Sequence, residues 1–112
     1  MSLYMAQFGY TAETWARLIE QPEDRRAAVS AIVEPHGAKL VDLWYAFGAS
    51  DGFALLECPD DRTAAGIAMA ITSSGAFSSF VTTPLMTQAD ALDAMRLAGE
   101  IRYVAPAQGV TA

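Results

Sequence analysis

The centre of the chain, YAFGASDGFALLECPDD at 45–61, admits few folds. Apolar residues alternate through 39–47 and again through Gly52–Cys58, with Gly-Ala-Ser-Asp between the two runs. A period of two places successive side chains on opposite faces of a strand, which no helix can satisfy. Two such runs divided by turn residues read as an antiparallel hairpin, with Asp51-Gly52 as a tight-turn pair tolerating positive φ. A lone hairpin is at best marginally stable in water, so the flanking sequence has to supply more strands or helices.

It supplies both. Residues 3–9 alternate Tyr4, Ala6 and Phe8 against Leu3, Met5 and Gln7, a strand. Thr11 is a good N-cap, and Ala12, Trp15, Ala16 and Ile19 follow at helical spacing. Gln21-Pro22-Glu23-Asp24 reads as a fresh helix start with Pro22 at the first helical position, so the region is expected to be one helix interrupted or kinked near Pro22. Val29, Ile32, Val33 and His36 share the face of that helix, and Pro35-His36-Gly37 ends it. In the 39–47 strand, Val41, Leu43, Tyr45 and Phe47 fall on one side, and Leu40, Asp42, Trp44 and Ala46 on the other. Pro59-Asp60-Asp61 starts a helix striped by Ala64, Ile67, Ala68 and Ile71, which Ser73-Ser74-Gly75 stops. A strand over 77–86 follows, with Pro84 suited to an edge or an end. An amphipathic helix over 87–99 carries Leu92, Met95 and Leu97, and the tail at 105–112 is expected to fray.

This order predicts an α+β fold. It is a ferredoxin-like βαββαβ sandwich, a four-stranded antiparallel sheet with helices on one face and an extra C-terminal helix. At 112 residues the chain is expected to form one domain over 1–112, its core at about 3–99. Hydrophobic residues at 53% against 18% charged describe a globular chain. A net charge of −6 without any Lys/Arg cluster argues against a nucleic-acid partner. Cys58 is the single cysteine, so no internal disulfide can form. Residues 63–89 carry no charge, but Thr72-Ser73-Ser74-Gly75 interrupts them, so two buried elements around a turn fit better than a membrane span. The start lacks a basic segment ahead of a long apolar one, and the expectation is a cytoplasmic protein with no membrane partner. Apolar residues fall on both faces of the expected strands, Trp44, Leu40, Phe80 and Met86 opposite Tyr45, Phe77, Val81 and Leu85. A face that its own helices leave bare predicts self-association, as a homodimer through the open sheet face, the alternative being that the C-terminal helix folds over some of these aromatics.

Phe8-Gly9-Tyr10-Thr11, Gly37-Ala38-Lys39-Leu40, Trp44-Tyr45, Gly48-Ala49-Ser50-Asp51 and Cys58-Pro59-Asp60-Asp61 precede the alanine-rich stretch ending Ser73-Ser74-Gly75. In order and spacing, over roughly 3–95, this set resembles the GYD-domain family. Ser50 stands where that family has a central tyrosine, and Pro35-His36 where a leucine-glycine pair is more typical. The resemblance implies a small bacterial ferredoxin-like protein of the dimeric α+β-barrel kind, of unknown function. That architecture also hosts cofactor-free monooxygenases, isomerases, haem-dependent enzymes and stress proteins, so the fold leaves function open.

Asp51 is first a turn residue; as a general base it would need a partner. His36 reads as the cap of a helix end, with a proton shuttle or haem ligand as the functional alternative. Tyr45 completes the three catalytic candidates. Trp15, Trp44, Tyr45 and Phe53 are candidates to line a pocket for a planar apolar ligand. Cys58 reads as a small buried hydrophobe, and Asp60 and Asp61 as helix caps. One histidine and one cysteine cannot build a usual zinc site, and no metal or cofactor is expected. The leading reading is a homo-oligomeric small-molecule-binding domain. A cofactor-independent oxygenase or isomerase is the runner-up, and a regulatory or scaffolding oligomer the third.

Overall fold

A computed structural model describes residues 1–107, so from residue 108 onward the expected frayed tail lies outside the described residues. Strands β1 (Ser2–Tyr10), β2 (Lys39–Tyr45), β3 (Gly52–Cys58) and β4 (Phe77–Pro84) form one sheet in the order β2-β3-β1-β4. Every neighbouring pair is antiparallel. Helices α1 (Ala12–Glu20) and α2 (Arg25–Val33) lie between β1 and β2, α3 (Asp61–Thr72) between β3 and β4, and α4 (Gln88–Glu100) follows β4. The fold is the ferredoxin-like α+β sandwich.

Short polar side chains start all four helices. Thr11 accepts from the Thr14 amide at 3.2 Å, Asp24 from Arg26 at 3.0 Å, Asp60 from Thr63 at 2.8 Å and Thr87 from Asp90 at 3.1 Å. Each satisfies an amide that the helix itself leaves unpaired. Pro22 sits in the break before α2, not at its first position, because Asp24 takes the cap instead. Glu34–His36 adds one 3-10 turn after α2, closed by Gly37 at φ 79. That left-handed value suits a residue without Cβ.

The core lies between the helices and one sheet face. Tyr4, Ala6, Leu40, Ala54, Leu56 and Cys58 of the strands bury themselves against Val33 of α2 and Ala64 of α3. Two irregularities correct the expected alternation. β2 skips a partner between Leu40 and Asp42, so Leu40 joins Leu43 and Tyr45 on the helix side rather than facing away from them. β1 and β4 shift register at Gly9/Tyr10, where Ser78 is the extra residue, and Phe77 and Phe80 therefore share the helix side. A bulge inserts one residue and inverts everything beyond it. β4 ends at Pro84, before Leu85 and Met86.

The other sheet face is mixed. One row across the strands runs Trp44, Phe53, Gln7 and Val81, and the next runs Leu55, Met5 and Thr83. Lys39 and Glu57 face each other at one corner.

Candidate functional site

Six aromatic rings fill one end of the space between helices and sheet. Tyr10 is at their centre, its ring centroid 5.1 Å from Trp15 at 88°, 5.1 Å from Phe77 and 5.2 Å from Phe8. Tyr45 leans on this group, its hydroxyl 3.2 Å from that of Tyr10, and Phe80 closes it against Phe77. Burial and the Tyr45 hydroxyl push the Tyr10 phenol well above its ordinary pKa.

Asp51 ties this cluster together. Its Oδ2 accepts from the Tyr10 amide at 2.8 Å and from the Trp15 indole Nε1 at 3.1 Å, while its own amide donates to the Phe8 carbonyl at 2.8 Å. The loop is longer than the two-residue turn expected: the Ala46 amide donates to the Asp51 carbonyl at 2.7 Å. Neither Asp51 nor Gly52 has positive φ. Gly52 is required for a different reason, since a Cβ there would sit 2.3 Å from Phe8 Cζ and 2.8 Å from the Trp44 carbonyl oxygen.

The structure therefore splits the pocket candidates. Trp15 and Tyr45 belong to the aromatic plug, whereas Trp44 and Phe53 are cross-strand neighbours on the opposite sheet face. Asp51 and Tyr45 gather at the plug; His36 stands at the far end of α2. A hollow between helices and sheet, lined by Tyr4, Leu56, Ile67 and Phe80 among others, offers about 50 Å³. That is too small for an organic ligand.

A larger site opens between α2 and α3, a groove of about 740 Å³. Val29, Ile32 and Val33 form one wall, Gly66, Ile67, Ala70 and Ile71 the other, and Phe77 lies at its end. Its size is that of an ordinary small-molecule site. Antiparallel β1 and β3 make α2 and α3 antiparallel, so the end of α2 meets the start of α3. His36 and Arg62 accordingly share one mouth, and Arg25 stands at the other. Among the described residues no acidic side chain lines the groove. Room exists because α3 presents Gly66 and Ala70 there, and a Cβ added to Gly66 would meet nothing within 4 Å.

The start of α3 is fixed by one long-range bond and one local cap. The Tyr4 hydroxyl donates to Asp61 Oδ1 at 2.5 Å, and this bond above all raises the Tyr4 pKa to about 12. The Thr63 amide and hydroxyl both donate to Asp60, which holds that carboxyl below its usual range. Cys58 is buried, and burial, then the nearby Asp60, push its thiol pKa up. A thiol kept protonated is a poor nucleophile. Among the described residues no group of three or more His, Cys, Asp or Glu could hold a metal ion, and no helix is long and apolar enough to cross a membrane.

The sequence model of the GYD domain matches residues 4–95. No curated protein matches the sequence. Among solved structures, FFRP-DM1 superposes with a TM-score of 0.50 at 12% identity, covering 77% of this chain and all of that one. MtbAldR superposes with a TM-score of 0.56 at 11% identity, covering 96% of this chain. This chain spans 58% of the MtbAldR chain, and at such identities the likeness is one of fold.

Proposed function

The chain belongs to the GYD-domain family, and from that premise we propose that it is a self-associating, small-molecule-binding domain whose ligand seat is the α2–α3 groove. The observation that carries this reading is the groove itself: about 740 Å³, apolar along both walls, with Arg25, His36 and Arg62 as its charged or titratable groups. An apolar body with a few convergent polar groups is the usual composition of such sites. His36 and Arg62 at one mouth, with Arg25 at the other held 3.4 Å from Glu23, favour a ligand with an anionic head, such as an aromatic or branched carboxylic acid.

Self-association through the open sheet face is supported by Trp44 and Val81, which expose 46% and 55% of their surfaces beside Phe53. The oxygenase or isomerase reading has less behind it. Asp51 spends its acceptor on Tyr10 and Trp15, and His36 is a helix length away from Tyr45.

The test is calorimetric titration of the full chain with an arylcarboxylic acid and with the anilinonaphthalene sulfonate dye. Saturable binding of one molecule per chain is expected, abolished in Gly66→Leu, whose side chain projects into the groove without touching the core. Unchanged binding in Gly66→Leu would overturn the assignment.

A further inference from the structure

Helix α4 presents an apolar stripe that the other described residues leave bare. The Leu85 amide still donates to the Leu3 carbonyl at 2.9 Å, and Thr87 caps the helix, so only Met86 and Thr87 form the joint. From that joint α4 runs away from the body. The molecule measures 68 × 29 × 23 Å with a radius of gyration of 18.9 Å, against about 13 Å for a compact chain of this length. Among the described residues α4 packs extensively against no strand or helix. An unsupported helix of 13 residues is marginal in water. On this one, Leu92 and Met95 lie a turn apart on one stripe and expose 41% and 63% of their surfaces, with exposed Ile101 just beyond.

The same chain carries a surface of matching size. Thirteen residues at about 1.5 Å each make a helix of roughly 20 Å. Four strands about 4.8 Å apart make a sheet roughly 15 to 19 Å across. The row Trp44, Phe53, Gln7 and Val81, apolar but for Gln7, runs across that width on the open face. We propose that α4 of each chain lies across the open sheet face of a second copy, in reciprocal exchange. Such an exchange is closed by a two-fold axis: each copy gives one helix, receives one, and leaves neither surface bare. An anionic lipid surface is a poorer match, because α4 carries Asp90, Asp93 and Glu100 against Arg96 alone.

This deepens the self-association proposed above and rests on it. Sedimentation of the full chain over a concentration series is expected to show a dimer. Leu92→Glu with Met95→Glu should weaken it at least tenfold while circular dichroism keeps the parent's fold, since these residues lie off the core. Met95→p-benzoylphenylalanine in a mixture of isotopically light and heavy chains should cross-link to the partner's β2–β3 face. A double variant that dimerises as tightly as the parent overturns the exchange and leaves sheet-to-sheet association standing. Cross-links confined to one chain mean that α4 folds back, which also overturns it, and a monomeric parent overturns both readings.

Discussion

The indole Nε1 of Trp15 donates to Asp51 Oδ2 at 3.1 Å, which binds the first turns of α1 to the end of the β2–β3 loop. The same oxygen accepts the Tyr10 amide, so one carboxylate joins helix, loop and central strand beside the aromatic plug. Asp51→Ala leaves two donors without a partner in a half-buried place. Each such loss costs about 1–3 kcal/mol, so urea unfolding should show a clear destabilisation, with Trp15 emission shifted to the red. Ligand binding in the α2–α3 groove should survive, because Asp51 does not line it. Asp51→Asn keeps an acceptor and should recover part of the loss. A variant as stable as the parent would show that the tie is dispensable.

Two glycines are expected to respond oppositely to the same added methyl group. Gly52→Ala drives a Cβ into the Phe8 ring and the Trp44 carbonyl, and overpacking of this kind costs about 1–3 kcal/mol. Gly66→Ala meets open space within α3 and removes a flexible residue from a helix interior. It should therefore stabilise by about 0.5–1 kcal/mol. Thermal unfolding of both variants against the parent decides the matter; equal Tm values for the pair contradict it.

These contrasts mark what the sequence makes legible. The hairpin, the caps at Thr11, Asp24, Asp60 and Thr87, and the element order follow from alternation and local capping chemistry, which act over a few residues. The bulges do not follow from it. Inserting Val41 or Ser78 changes no residue type, yet it reverses the side on which Leu40 and Phe80 fall. The role of Asp51 is equally hidden, since its partners Tyr10 and Trp15 lie 41 and 36 residues away. The groove is a lack of side-chain volume at Gly66 and Ala70, and in an alanine-rich helix such a lack has no signature of its own.

Alkaline stability should depend on two tyrosines. Tyr4 is raised to about 12 and Tyr10 is raised as well, so folding favours the neutral phenol of both. A raised folded-state pKa means that the stabilisation is complete below about pH 10, where the unfolded phenols are also protonated. As pH climbs from about 10 through 12, the unfolded chain gives up those protons first and stability falls. Urea midpoints across that window should decline, and the decline should be shallower in Tyr4→Phe. Parallel curves for parent and variant would remove Tyr4 from the account.

The charge at the groove mouths should set ligand preference without setting the capacity to bind. Arg62 is exposed at the mouth it shares with His36, so its attraction for an anionic head is screened by water. Exposed ion pairs are worth about 0.2–1 kcal/mol, which at 1.4 kcal/mol per tenfold is at most about fivefold in affinity. Arg62→Ala should therefore weaken an arylcarboxylic acid by about two- to fivefold and leave its neutral amide analogue unmoved. Raising the salt concentration should shrink the gap between acid and amide in the parent but not in the variant. An amide weakened as much as the acid by Arg62→Ala would mean that the arginine acts through its apolar stem, packed along the groove, rather than through its charge.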